Sequence, residues 1–266
     1  WGKRIFALDS TNPEALTYLK NLIKSIRDSG FDYLKIDFLF AGAIPGRRFD
    51  ESVSPVEAYR TGMQMIRDAA GEDCFILGCG APLLPSVGFV DGMRIGSDTA
   101  PHWNGEPMDI GIPSARFCLR NAYTRSFMHR RLWLNDPDTI ILRYCDLTED
   151  EKRIFALSVG LLDGMMLNSD DMARVDKNGI ELLREAISLR GGEPRVFLDG
   201  MNGVFAACTR KASQSNVISF VNLTDTPRHS IKLKEMYRDW SGVVPSVDEV
   251  ELPCRSIWIQ KRRSTT

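Results

Sequence analysis

The chain has 266 residues, 43% of them apolar and 26% charged. That fits one large domain, alone or with a small companion, and excludes disorder, collagen and a disulfide-stapled miniprotein. Thirty-four basic residues against thirty-five acidic leave a formal charge of −1, so no nucleic acid or membrane partner is called for and a neutral small substrate fits better.

Asn12-Pro13-Glu14 pairs a capping side chain with a proline at the first helical position, and Leu16, Leu19, Ile23 and Ile26 continue at helical spacing to Gly30. Phe31 to Phe40 (FDYLKIDFLF) is apolar enough for a strand buried on both faces. Ser54-Pro55-Val56-Glu57 is a capping box that opens a helix running to Gly71, and Cys74 to Gly78 is the next buried strand. Strands are then predicted at Gly92 to Ser97, Leu132 to Asn135 and Asp163 to Asn168. Helices are predicted at Pro113 to Arg131, Thr148 to Gly160 with a second capping box, and Gly179 to Arg190.

Repeated strand-then-helix units imply a parallel sheet, open or closed, and five strands do not close an eight-stranded barrel. After Gly191-Gly192 the pattern changes to short strand-like runs: Arg195–Leu198, Val204–Cys208, Val217–Asn222, His229–Leu233 and Ser256–Gln260. These suggest a small antiparallel sandwich packed against the α/β part.

The six cysteines (Cys74, Cys79, Cys118, Cys145, Cys208 and Cys254) form no Cys-x-x-Cys pair, so neither a zinc knuckle nor a redox motif is written here. His102, His129 and His229 lack metal-ligand spacing, and no metal is expected. Phe155 to Leu167, the longest apolar run, is broken by Asp163 and is too short to span a bilayer. No signal pattern opens the chain, which as given reads as cytoplasmic. The start on Trp1 rather than Met points to an upstream segment, which can carry a signal of its own.

Side chains alternate across a strand, which puts Lys35 and Asp37 on one face and Leu34, Ile36, Phe38 and Phe40 on the other. With helices over the apolar face, the two charges point to the inside of the sheet near its C-terminal end, where α/β barrels place their chemistry. A structural ion pair is one reading; a carboxylate held ionised by a cationic neighbour is the functional one. Cys79, in the turn Gly78-Cys79-Gly80, is a packed thiol or a ligand contact. Gly92 to Asp98 again alternates polar residues, Arg94 and Asp98, with Asp98 on the following loop as a turn residue or a second carboxylate. Two carboxylates at one mouth suit glycosidic bond cleavage, one attacking the anomeric carbon and one protonating the leaving oxygen.

The segments Tyr33 to Gly42, Phe75 to Pro85 and Val90 to Pro101 resemble, in order, the α-galactosidases of glycoside hydrolase family 36, in clan D, and the tail Leu252 to Gln260 is similar to the family's last strand. The resemblance implies a partial (β/α)8 TIM barrel, strands four to eight, over residues 1–192, followed by a β-sandwich domain over 193–266. It makes Asp37 the nucleophile and Asp98 the general acid/base, with Lys35, Cys79 and Arg94 on the galactosyl ring of an α-galactoside oligosaccharide. Configuration would be retained, with the two carboxyls about 5–5.5 Å apart and no cofactor. Strands one to three, the aromatic platform and the acidic pair for the distal hydroxyls would then precede Trp1. The 266 residues would hold both catalytic carboxylates in an incomplete pocket, with an exposed barrel edge and little activity alone.

Two other functions stay open on the residues themselves. A lysine desolvated on a barrel strand also serves Schiff-base lyases and aldolases, and a sugar-binding remnant would keep the fold without turnover. N-acetylgalactosamine in place of galactose, aglycone preference and oligomeric state are not fixed. His102 reads as a surface loop residue or as lining the leaving-group side, and Asp136, Asp138, Asp170 and Asp171, beyond the two later strands, either reach the mouth or serve as caps and turns.

Overall fold

The structure, a computed structural model, describes residues 6–105, 112–199, 203–211, 215–232 and 249–263. It divides into two compact units, Trp1–Arg94 with Arg130–Leu134, and Ile95–His129 with Asn135–Thr266.

In the first unit the local caps set the helices. The Asn12 side chain accepts the N–H groups of Glu14 and Ala15, opening α1 (Pro13–Asp28). The Ser54–Glu57 capping box opens α2 (Pro55–Ala70), which buries Ala58, Tyr59, Met63 and Ile66. Arg67 of α2 is buried too, because its guanidinium donates to the Phe89 carbonyl and pairs with Asp91 at 2.6 Å. The Asp91 carboxylate also accepts the Ile76 N–H, tying helix to strand.

The sheet runs in the order β1 (Tyr33–Ile36), β2 (Phe75–Gly78), β3 (Gly92–Arg94), β4 (Leu134–Asp136), with β1–β2 and β2–β3 parallel. The strand expected over Phe31 to Phe40 stops at Ile36. Phe38 adopts a left-handed conformation (φ 56°), and Leu39–Ala43 coil into a 3₁₀ helix. Leu39 and Phe40 give their N–H groups to the Cys79 and Gly80 carbonyls, at 3.4 and 2.7 Å, so the chain folds over the end of β2 instead of extending the ladder.

The second unit holds α3 (Ala115–Thr124), α4 (Glu149–Leu162) and α5 (Lys177–Leu189), with a parallel pair, β5 (Thr139–Ile140) and β6 (Leu167–Asn168). Here α3 is shorter than expected and gives way to a 3₁₀ turn at Ser126–Met128. Asp163, expected in a strand, instead closes α4 at φ 55°, its carboxylate accepting the Gly191 N–H at 2.9 Å. Asp176 caps α5, which starts at Lys177, two residues before the expected Gly179.

Four antiparallel strands follow in the order β12 (Ser256–Arg263), β9 (Ser215–Asn222), β8 (Val204–Lys211), β7 (Gly192–Asp199), with β10 (Arg228–Lys232) paired to β11 (Glu249–Leu252). Of the expected strand His229–Leu233, Leu233 lies outside the described residues. Strand alternation explains the packing: Ile218 and Phe220 meet Val250 and Leu252 of β11 on one face, while Val217, Ile257 and Ile259 meet Ala156, Leu157 and Leu161 of α4 on the other. Both faces of this sheet are therefore covered. Among the described residues no helix is long and apolar enough to cross a membrane, and no group of three or more His, Cys, Asp or Glu side chains is placed to hold a metal.

Candidate active site

Four of the five residues singled out in the sequence lie in the first unit at the C-terminal ends of neighbouring strands. Lys35 is on β1, Asp37 one residue past it, Cys79 one residue past β2, and Arg94 at the end of β3. The parallel register sets Lys35 against Leu77 and Ile36 against Gly78, and the Cys79 N–H donates to the Ile36 carbonyl at 2.9 Å. Asp37 and Cys79 thus emerge side by side.

Asp37 is locally held. The Phe38 N–H donates to its Oδ1 at 2.6 Å, in a turn that exists because Phe38 takes φ 56°, a conformation costing a non-glycine residue about 1–2 kcal/mol. Across from it stands Gly80, at φ +51°, where an added Cβ would lie 3.1 Å from Asp37 Oδ1 and 3.3 Å from the Phe38 nitrogen. Only a glycine allows this approach without displacement.

Cys79 is buried, at 4% exposure, and Arg94 at 6%. The Arg94 guanidinium lies 3.9 Å from Cys79 Sγ. Burial pushes the Cys79 thiol up to about 11, its hydrogen bond to Asp37 and the charge of that carboxylate push the same way, and the Arg94 and Lys35 cations pull back. All four predicted side chains therefore interact at one spot, and the thiol there is a neutral S–H donor at ordinary pH.

One expectation is corrected. Lys35 and Asp37 are exposed rather than buried charges, because β1 is the outermost strand of its sheet among the described residues. Neither side chain is desolvated among the described residues. Beside Asp37, a cavity of about 260 Å³ between β1, α1 and α2 is lined chiefly by apolar groups such as Leu16, Ile36, Met63 and Ile66. Such a lining offers a sugar hydroxyl few partners.

Asp98 belongs to the second unit, exposed on the loop that follows β3. Its carbonyl accepts the N–H of Ser114, the cap of α3. Its neighbour Thr99 donates its N–H to Asp138 Oδ2 at 2.7 Å, and Asp138 in turn donates its N–H to Asp136 Oδ1 at 2.8 Å.

Asp136 is fully buried at the end of β4. Sequence reasoning left both aspartates open between the mouth and a turn, since the contact to Thr99 spans 39 positions; the one local sign was an Asp-Pro-Asp step directly after a predicted strand. For Asp170 and Asp171 the turn reading stands. Asp170 accepts the Leu142 and Arg143 N–H groups, and Asp171 caps a 3₁₀ turn. His102 bonds the Pro113 carbonyl at 3.2 Å.

Among solved structures the chain is similar to the α-galactosidase TtGalA from Thermus thermophilus, determined in complex with p-nitrophenyl α-D-galactopyranoside. The TM-score is 0.63 with 31% identity, over 78% of this chain and 42% of that one. The chain therefore spans less than half the length of that enzyme. It also shares its fold with α-galactosidase I from Mortierella vinacea, at TM-score 0.69 and 14% identity over 94% of this chain and 72% of that one. A GH27 β-L-arabinopyranosidase from Geobacillus stearothermophilus matches at TM-score 0.69 and 15% identity, over 98% and 64%. No family model matches the chain.

Proposed function

We propose that this chain carries the catalytic carboxylates of a retaining α-galactosidase of glycoside hydrolase family 36. β1 to β4 and β6 would be strands four to eight of a (β/α)8 barrel over residues 1–192, with residues 193–266 as the C-terminal sandwich. The observation that carries the reading is the convergence of Asp37, Cys79, Arg94 and Lys35 at adjoining strand ends, supported by the 31% identity to the Thermus enzyme.

In this reading Asp37 attacks the anomeric carbon while Asp98 gives its proton to the departing oxygen as the C–O bond breaks. The products of that step are a β-galactosyl ester on Asp37 and the free aglycone. Asp98, now a carboxylate, takes a proton from water, whose oxygen displaces Asp37 and releases α-galactose. Arg94 and Lys35 offer donors to ring hydroxyls, and the protonated Cys79 thiol adds a weak one. No cofactor is needed.

The test uses the product of the whole open reading frame that contains these residues, beside the 266-residue chain alone. The former should hydrolyse 4-nitrophenyl α-galactoside and the latter should show little turnover. A fluorinated galactosyl fluoride should label Asp37, and Asp37→Asn should abolish both reactions. Labelling elsewhere, or borohydride trapping of a carbonyl substrate on Lys35, would overturn the assignment.

A further inference from the structure

We propose that Asp138 is a positioning residue that fixes the loop bearing Asp98, a claim that rests on the hydrolase reading of Asp98. Three observations carry it. The Asp138 carboxylate accepts the N–H of Thr99, the residue directly after Asp98, at 2.7 Å. To reach it Asp138 holds φ 73°, a left-handed conformation that few non-glycine residues adopt. Its own N–H is anchored to Asp136, which is fully buried.

Cys118 on α3 reinforces the same joint. Its Sγ lies 3.3 Å from Thr99 Oγ1 and 2.7 Å from the Pro137 carbonyl, so helix, loop and the turn after β4 meet at Thr99. The Asp98 carbonyl is held from the other side by the Ser114 N–H at 3.2 Å.

An acid that must meet a leaving oxygen within hydrogen-bond reach gains nothing from a loop free to swing. A charged acceptor bonded to the adjacent amide removes that freedom without touching the carboxylate itself. Backbone strain maintained beside a functional group is the expected mark of such an arrangement.

Leaving-group dependence in the whole-open-reading-frame protein tests this. With Asp98→Ala, melibiose, whose leaving oxygen needs a proton, should lose about 10²-fold or more in kcat/KM, while 2,4-dinitrophenyl α-galactoside loses only a few-fold. Asp138→Ala should follow the same pattern, about 10-fold to 10²-fold on melibiose and under about 3-fold on the activated substrate. Asp138→Asn, which keeps an amide oxygen for the Thr99 N–H, should recover most of the melibiose activity.

Hydrogen exchange over residues 95–101 should speed up in Asp138→Ala and stay near wild type in Asp138→Asn. Equal losses on both substrates, or unchanged exchange in Asp138→Ala, would overturn the proposal. If Asp98→Ala itself fails to separate the two substrates, the hydrolase reading has failed, and exchange then judges the clamp alone.

Discussion

Replacing Gly80 by alanine tests how tightly Asp37 is held. At φ +51° an L side chain costs about 1–2 kcal/mol. The new Cβ would also stand 3.1 Å from Asp37 Oδ1 and 3.3 Å from the Phe38 nitrogen, both closer than ordinary van der Waals contact. Phe38 is backbone already held in a left-handed turn, so the carboxylate is the group that must give. Relieving an overpacked contact of this size adds about 1 kcal/mol, for a total of about 2–3 kcal/mol, or roughly 4–12 °C in Tm.

Gly30 and Gly88 supply the control. Both have φ +91° with nothing within 4 Å of an added Cβ, so Gly30→Ala and Gly88→Ala carry the backbone strain without the contact. Urea unfolding should rank Gly80→Ala below both. In ¹H–¹⁵N spectra the Phe38 amide, bonded to Asp37 at 2.6 Å, should shift in Gly80→Ala alone. A Gly80→Ala protein as stable as Gly30→Ala, with that amide unmoved, would refute the reasoning.

Two further outcomes follow from the electrostatics. Burial pushes the Cys79 and Cys208 thiols up to about 11, above their unfolded value near 9. Their contribution to stability is therefore complete below pH 9 and fades as pH rises towards 11, where the unfolded thiols ionise first. Urea midpoints should fall across that window by less in a Cys79→Ala/Cys208→Ala protein, and at pH 8 iodoacetamide should modify exposed Cys254 long before Cys79. Arg255 joins Glu151 at 2.6 Å to Asp225 at 2.5 Å, and Glu151 is 2% exposed. Arg255→Ala should cost about 1–2 kcal/mol by leaving that buried carboxylate with the Thr148 N–H as its remaining capping partner, a figure reduced because the arginine is partly solvated; a loss under about 0.5 kcal/mol in urea melts would show that the pair is not needed.

What could be read from the chain was what is locally encoded. The caps at Asn12, Ser54 and Thr148 set α1, α2 and α4 at their expected starts, because each uses a side chain within three residues of the N–H it satisfies. The end of β1 was not legible: an apolar run gives no sign that Leu39 and Phe40 will bond to carbonyls forty residues away on the β2 turn. β11 was overlooked, although Glu249-Val250-Glu251-Leu252 alternates as a half-buried strand should, and Val250 and Leu252 are the buried pair. At the candidate site the residue types could be identified and four of them meet. Lys35 and Asp37 are exposed where burial was expected, because alternation tells which side chains share a face but not whether that face is covered.

Backbone strain offers an independent view of the site. Among the described residues five that are not glycine take positive φ: Phe38, Arg130, Asp138, Asp163 and Arg255. Asp163 ends α4 and takes the Gly191 N–H. Arg255 bridges two acidic groups, and Arg130 closes a turn onto the Trp133 carbonyl. Those three have structural work that accounts for their conformation. The other two adjoin the candidate carboxylates, Phe38 donating to Asp37 and Asp138 accepting from the residue after Asp98. A conformation costing about 1–2 kcal/mol persists only where its surroundings over-determine it. Two such positions, in different units of the chain and each holding the backbone next to one of the two aspartates, are what a fold would keep if those carboxylates had to be fixed in place.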